Sequence, residues 1–117
     1  MPLNMIKNTD DAETIVAGET IFSEGESPNG MMYILLDGEV DIFVRGERID
    51  TIGPGEFLGE IGLVDNGPRS ATAVAKNECK LWPIDADRFQ LLVQQTPVFA
   101  LVVMQTLAAR LRAGRLH

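Results

Sequence analysis

Between positions 53 and 72 the chain reads GPGEFLGEIGLVDNGPRSAT, and these residue types suit one kind of chemistry, the holding of a small anion. Five of the chain's eleven glycines fall between positions 53 and 67. Glycine lets a backbone approach a ligand closely and adopt positive φ. Residues 59–63 are enough for one helical turn, whose first N–H groups have no intrahelical partner and form an anion site helped by the local dipole. Arg69 is the only basic residue between Arg48 and Lys76. Its planar fork of donors matches phosphate oxygens. Ser70 adds a hydroxyl beside it, and Glu60 is an acceptor for the hydroxyls of a sugar diol. Backbone amides, one guanidinium, one hydroxyl and one carboxylate make a set for a small phosphorylated sugar. A plainer reading uses the same residues: a Gly-rich turn, with Arg69 paired to Glu56, Glu60 or Asp65. Short glycine motifs do not decide between the two.

Such residues need a frame. From about residue 14 to residue 84, short apolar runs are broken by Gly, Pro, Asn and Asp, the pattern of a strand-and-turn region. Ile15-Val16-Ala17 and Ile21-Phe22 flank the turn Gly18-Glu19. Residues 24–30, Pro28 among them, read as a loop. Residues 32–36 read as a well-buried strand ended by Asp37-Gly38. Val40, Ile42 and Val44 alternate with Asp41 and Phe43 at period two. Arg45-Gly46-Glu47-Arg48 fits a hairpin turn, and Ile49 and Ile52 lead into Gly53-Pro54-Gly55. Residues 71–75 and 79–84 read as two more strands around the turn 76–78. This spacing predicts a mainly β fold, a small sandwich or barrel of short antiparallel strands.

After Ile84 the period changes. Asp85 fits the N-cap of a helix through Gln95, with Phe89, Leu92 and Val93 on one face. Pro97 fits the first residue of a last helix that runs to about Ala113. Its apolar residues go most of the way round, so one face covers the strands and another is left for a partner.

The bulk properties exclude several classes. A chain of 117 residues suits one domain, expected over 1–117, with closing helices at 85–95 and 97–113. A net charge of -7 repels phosphate backbones and anionic lipid, so neither nucleic acid nor a membrane surface is an expected partner. Cys79 is the single cysteine, which excludes an intramolecular disulfide and fits a reducing compartment. The start MPLNMIKNTDD is too polar for a signal peptide. The longest apolar run, from Val98 to Met104, falls far short of the roughly 20 residues that span a bilayer. The expectation is a cytoplasmic chain with no membrane span. The sole histidine is His117, so there is no plausible set of metal ligands and no Ser-His-acid triad. Glu56 and Glu60 form a carboxylate pair with no positioned nucleophile. No enzyme activity, metal or cofactor is expected.

Taken together, Phe57-Leu58-Gly59-Glu60-Ile61-Gly62-Leu63 and Asn66-Gly67-Pro68-Arg69-Ser70-Ala71-Thr72 resemble the phosphate-binding cassette of the cyclic-nucleotide-binding domains. That family includes catabolite-activator-type regulators, the regulatory subunit of cAMP-dependent kinase and cyclic-nucleotide-gated channels. The resemblance extends upstream through Gly18-Glu19, Ile21-Phe22, Glu24-Gly25, Met32-Tyr33-Ile34 and Gly38-Glu39-Val40. Downstream it takes in Phe89, Leu91-Leu92, Pro97 and Leu107-Ala108-Ala109-Arg110-Leu111. It covers about residues 16–112.

The resemblance implies an eight-stranded jelly-roll-like β-roll (double-stranded β-helix) with a short cassette helix and flanking N- and C-terminal helices. It implies cyclic AMP or cyclic GMP as ligand, cyclic AMP favoured, and a sensor whose last helix shifts on binding. By position, Glu60 would accept the ribose 2′-hydroxyl, Arg69 would pair with an exocyclic phosphate oxygen, and Ser70 would bond the phosphate. Backbone N–H groups around Gly59, Glu60, Ile61, Ser70 and Ala71 would complete the cradle. Phe22, Ile42 and Ile49 match positions that line the nucleotide pocket, and Arg110 matches a position on the lid helix near the base. A homodimer or an effector domain would meet the last helix. The family's transcription factors continue into a helix-turn-helix domain; this chain ends at His117, so no DNA contact is expected. An alternative keeps the β-roll as a dimerisation or interaction module without nucleotide binding. A cupin-like enzyme would need histidine ligands that are absent.

Other residues have plain readings. Trp82 and the methionines Met31, Met32 and Met104 are expected in the core. Cys79 is expected as a buried, inert thiol. Arg110, Arg112 and Arg115 complement the dipole of the last helix.

Overall fold

The computed structural model describes residues 10–27, 29–64 and 67–114. Pro28, Asp65, Asn66, Arg115, His117 and the first nine residues lie outside the described residues. Eight strands and three helices follow one another: β1 (Glu13–Ile15), β2 (Thr20–Phe22), β3 (Met32–Asp37), β4 (Val40–Val44), β5 (Glu47–Ile52), β6 (Phe57–Leu58), α1 (Glu60–Val64), β7 (Thr72–Ala75), β8 (Cys79–Ile84), α2 (Ala86–Gln95) and α3 (Val98–Arg112). The expected N-terminal helix would fall in residues 1–9, outside the described residues.

The strands form two four-stranded antiparallel sheets, ordered β1-β8-β3-β6 and β2-β7-β4-β5. This is the mainly β fold expected from the spacing, in the β-roll form that the resemblance implied. Adjacent segments are split between the sheets: β1 and β2 do not pair with each other, nor do β7 and β8. Among the described residues only β4 and β5 make a plain hairpin. Its turn residues Arg45 and Gly46 both have positive φ, as a tight two-residue hairpin turn requires. Glu47 and Arg48, expected in that turn, belong to β5.

The apolar run in β3 has a simple cause. Its two faces enter different cores. Tyr33 and Leu35 join Phe22, Val40, Ile42, Ile52, Leu58, Ala73 and Leu81 between the sheets. Met32 and Ile34 join Phe57, Trp82, Ile84, Phe99 and Val103 beneath the helices. With both faces covered, period two disappears from the sequence. In the other sheet Asp41 and Thr51, neighbours in register on β4 and β5, keep the polar alternation. Gly38 ends β3 with φ +87°, and a Cβ there would lie 2.3 Å from the carbonyl of Glu78.

Asp85 caps α2 by accepting from the N–H of Arg88 at 2.8 Å. Phe89, Leu92 and Val93 lie against the second core, as their spacing predicted. Phe99 meets Phe57 and Phe89 edge to face, with ring centres 6.0 and 5.4 Å apart. Pro97 stands just before α3 rather than as its first residue.

One expected core residue is out of place. Met104 is exposed, together with Val98, Leu101 and Leu111 on the outer side of α3. The helix is apolar nearly all round, but only one side meets the roll, so spacing could not pick which side. Trp82 is buried; its indole N–H donates to Asp11 and the Arg88 guanidinium lies over its ring. The bond from Arg88 holds the Asp11 carboxyl below its usual range. Cys79 is buried, and burial pushes its thiol pKa up. Among the described residues no single helix is long and apolar enough to cross a membrane.

Candidate functional site

Two buried charges stand at the two ends of the turn between β6 and α1. Arg69 is the first, only 4% exposed. Its Nη1 donates to the carbonyl of Gly59 at 3.1 Å. Its Nη2 donates to Asn29 Oδ1 at 2.9 Å and to the carbonyl of Met31 at 3.0 Å. The guanidinium stacks over Phe22, 4.4 Å from the ring centre. Backbone bonds fix the base of the side chain: Arg69 N–H donates to Glu26 O, and Gly25 N–H donates to Arg69 O, both at 2.8 Å. The expected plain pairing with Glu56 or Glu60 is not the arrangement found; all three acceptors are neutral. Burial lowers the Arg69 pKa from its usual value. The cation keeps its charge, and its Nε is buried with no hydrogen-bond partner among the described residues.

Gly59 makes this fit possible. Its φ is +79°, and an added Cβ would lie 2.7 Å from Arg69 Nη1 and 3.3 Å from Phe22. Any side chain there would push the guanidinium out of its seat.

Glu60, the first residue of α1, is the second charge and is fully buried. Its Oε1 accepts from Arg110 Nη1 of α3 in a buried ion pair. Arg110 Nη2 also donates to the carbonyl of Phe57 at 2.6 Å. One residue thus ties α3 to both sides of Gly59. The other carboxylate oxygen, Glu60 Oε2, is buried with no partner among the described residues. The helix-dipole role expected for Arg110 is therefore corrected, since its head is spent inside the protein. A cleft of about 370 Å³ is lined by Arg110 together with Asp50, Thr51, Glu56 and Thr106. Neither Arg69 nor Glu60 lines it.

Residues 12–96 match the family model described as the cyclic nucleotide-binding domain. The chain belongs to the cyclic nucleotide-binding domain family. Solved members resemble it closely in fold. The catabolite activator protein of Thermus thermophilus is 30% identical, with a TM-score of 0.79 over 88% of this chain and 50% of its own. The cAMP-bound protein PfPKA-R is 28% identical, with a TM-score of 0.69 over 91% of this chain and 37% of its own. A structure from a cyclic-GMP-dependent pathway that regulates bacterial phytopathogenesis is 30% identical, with a TM-score of 0.72 over 91% of this chain and 85% of its own. The chain therefore spans half the length of the Thermus protein.

The cyclic nucleotide-binding domain brings together most of the residues singled out by sequence. Gly59, Arg69 and Phe22 touch one another, and Glu60 touches Arg110. Ile42 and Ala71 are buried in the core between the sheets, with Ile49 packed against it. Ile61 is half-buried on α1, and Ser70 is exposed at the bend before β7. Sequence reading missed three participants: Asn29, the carbonyl of Met31 and the carbonyl of Phe57. Asn29-Gly30 carried a turn signal, but nothing in the sequence tied that turn to Arg69, forty positions away. Backbone carbonyls leave no signal at all.

Proposed function

We propose that this domain is a cyclic-nucleotide sensor that prefers cAMP to cGMP and reports binding through α3. One observation carries the reading. Among the described residues, the buried side-chain nitrogens and oxygens without a partner are Glu60 Oε2 and Arg69 Nε. Leaving a buried polar atom unpaired costs about 1–3 kcal/mol. A molecule that brings a hydroxyl donor to Glu60 and an anionic acceptor to Arg69 relieves both costs at once. A cyclic nucleotide does so with its ribose 2′-hydroxyl and an exocyclic phosphate oxygen. In this reading Ser70 and the N–H groups of Gly59, Glu60, Ile61 and Ala71 complete the phosphate cradle, and Phe22, Ile42 and Ile49 line the pocket. The bound cAMP of the similar PfPKA-R supports a cyclic nucleotide as the ligand.

The output follows from Arg110. It holds Glu60 Oε1 and Phe57 O, so a hydroxyl that loads the other carboxylate oxygen changes the energy of the ion pair. A ligand with different affinity for two positions of α3 shifts their populations. The exposed residues Val98, Leu101, Met104 and Leu111 are where a second copy or an effector would read that shift. The same stripe favours the alternative, an interaction module that has lost its ligand. Two unpaired buried atoms on Glu60 and Arg69 count against it, because a retired site gains nothing from them. The reading is of a cytoplasmic binding module without enzyme activity.

Calorimetric titration with cAMP, cGMP and 5′-AMP tests it. The expected result is saturable 1:1 binding, tightest for cAMP and far weaker for 5′-AMP. No heat with any of them, in folded protein free of carried-over ligand, would favour the interaction module.

A further inference from the structure

The three acceptors on Arg69 are not alike. Two are backbone carbonyls, of Gly59 and Met31, which no substitution removes. Asn29 Oδ1 is the one supplied by a side chain. That oxygen also accepts from the N–H of Met31 at 3.1 Å, so its own loop holds it in place before it meets the guanidinium. Gly30 follows with φ +72° and lets the chain turn back into β3. The amide is neutral. It fixes a direction for the Nη2 donors without cancelling the charge that an anion needs.

We propose that Asn29 is a positioning residue for the anion site. It aims the Arg69 guanidinium so that the unpartnered Nε faces the ligand. This rests on the nucleotide-sensor reading for its effect on affinity, but not for its effect on Arg69. Loss of the Asn29 oxygen leaves the guanidinium with two carbonyls and a ring, and it swings among several orientations. A ligand must then order it again, at a cost in affinity.

The test has two arms. The first needs no ligand: the exchange of the Arg69 Nε proton with water is followed by nitrogen-15 NMR in wild type, Asn29→Ala and Asn29→Asp. Exchange should quicken at least about tenfold in Asn29→Ala, the loss of one charge-assisted bond, and stay near wild type in Asn29→Asp, which keeps the acceptor. The second arm is titration of the same three proteins with cAMP. Asn29→Ala should bind about tenfold more weakly, Asn29→Asp should also bind more weakly because its carboxylate offsets the guanidinium charge although it keeps Arg69 in place, and Asn29→Ala should add almost nothing in an Arg69→Ala background. A bystander loop residue would lower affinity equally with or without Arg69. Equal exchange and equal affinity in Asn29→Ala and wild type would overturn the proposal. Wild-type protein that binds no cyclic nucleotide would overturn the sensor reading instead, and the exchange arm would still decide whether Asn29 fixes Arg69.

Discussion

The two buried charges beside Gly59 are held in opposite ways. Arg69 belongs to the roll. Its acceptors come from the turn before α1 and from the loop between β2 and β3, and among the described residues no carboxylate pairs with it. Glu60 is tied to α3 through Arg110. That helix buries only Phe99, Val103 and Arg110, and α2 buries no residue fully. Burying two apolar side chains is worth about 1.5–3 kcal/mol each; Val102 and Leu107 pack beside them, and Arg110 adds its ion pair and its bond to Phe57 O. A full cation on a fixed frame suits the binding of an anion. A carboxylate shared with α3 suits the passing on of what has been bound.

The sharpest way to break this contrast is to remove Arg110. Arg110→Ala leaves a fully buried carboxylate without its cation, which costs about 3–5 kcal/mol of stability. Thermal unfolding should fall by many degrees, and adding Glu60→Gln should recover much of the loss. If Arg110→Ala melts like wild type, α3 is not held through Glu60. Removing Arg69 should act on binding instead. Arg69→Ala strips no ion pair, so the fold is expected to stand by circular dichroism. Affinity for cAMP, measured by calorimetry, should fall by ~2–4 kcal/mol with the lost phosphate contact. Unchanged affinity would sink the assignment of Arg69. A stability loss as large as that of Arg110→Ala would erase the difference between the two corners.

The sequence made these corners visible to different degrees. Arg69 and Glu60 stood out because a lone arginine and a carboxylate sit among glycines, but nothing in the sequence said that both would be buried. The strands β3, β4, β5 and β8 were legible because turn residues bracket them. The two-residue strand β6 was not, since Phe57 and Leu58 carry no period of their own and are read as part of the glycine-rich segment. Nor was the split of β7 and β8 between two sheets, which depends on pairing with distant strands. Met104 was misplaced because an evenly apolar helix does not say which side faces the roll. The ion pair of Arg110 was hidden by its neighbour Arg112, which is exposed and makes the pair look like an ordinary helix C-terminus.

The smallest expected effect isolates Glu60 Oε2. Wild type should bind 2′-deoxy cAMP about tenfold more weakly than cAMP, because a hydrogen bond from a hydroxyl to a buried carboxylate is lost. Glu60→Ala alone would strand the Arg110 cation, so the informative variant is Glu60→Ala with Arg110→Met, which buries neither charge unpaired. In it the two ligands should bind almost alike, since the acceptor that tells them apart is gone. The phosphate corner is untouched by these changes, so both should still bind better than 5′-AMP. If the double variant still prefers the 2′-hydroxyl about tenfold, that hydroxyl is read elsewhere and Glu60 serves only the helix. If it loses the preference yet keeps cyclic over open phosphate, the two corners act as separate parts. Arg69 then reads the phosphate, and Glu60 joins the sugar to α3.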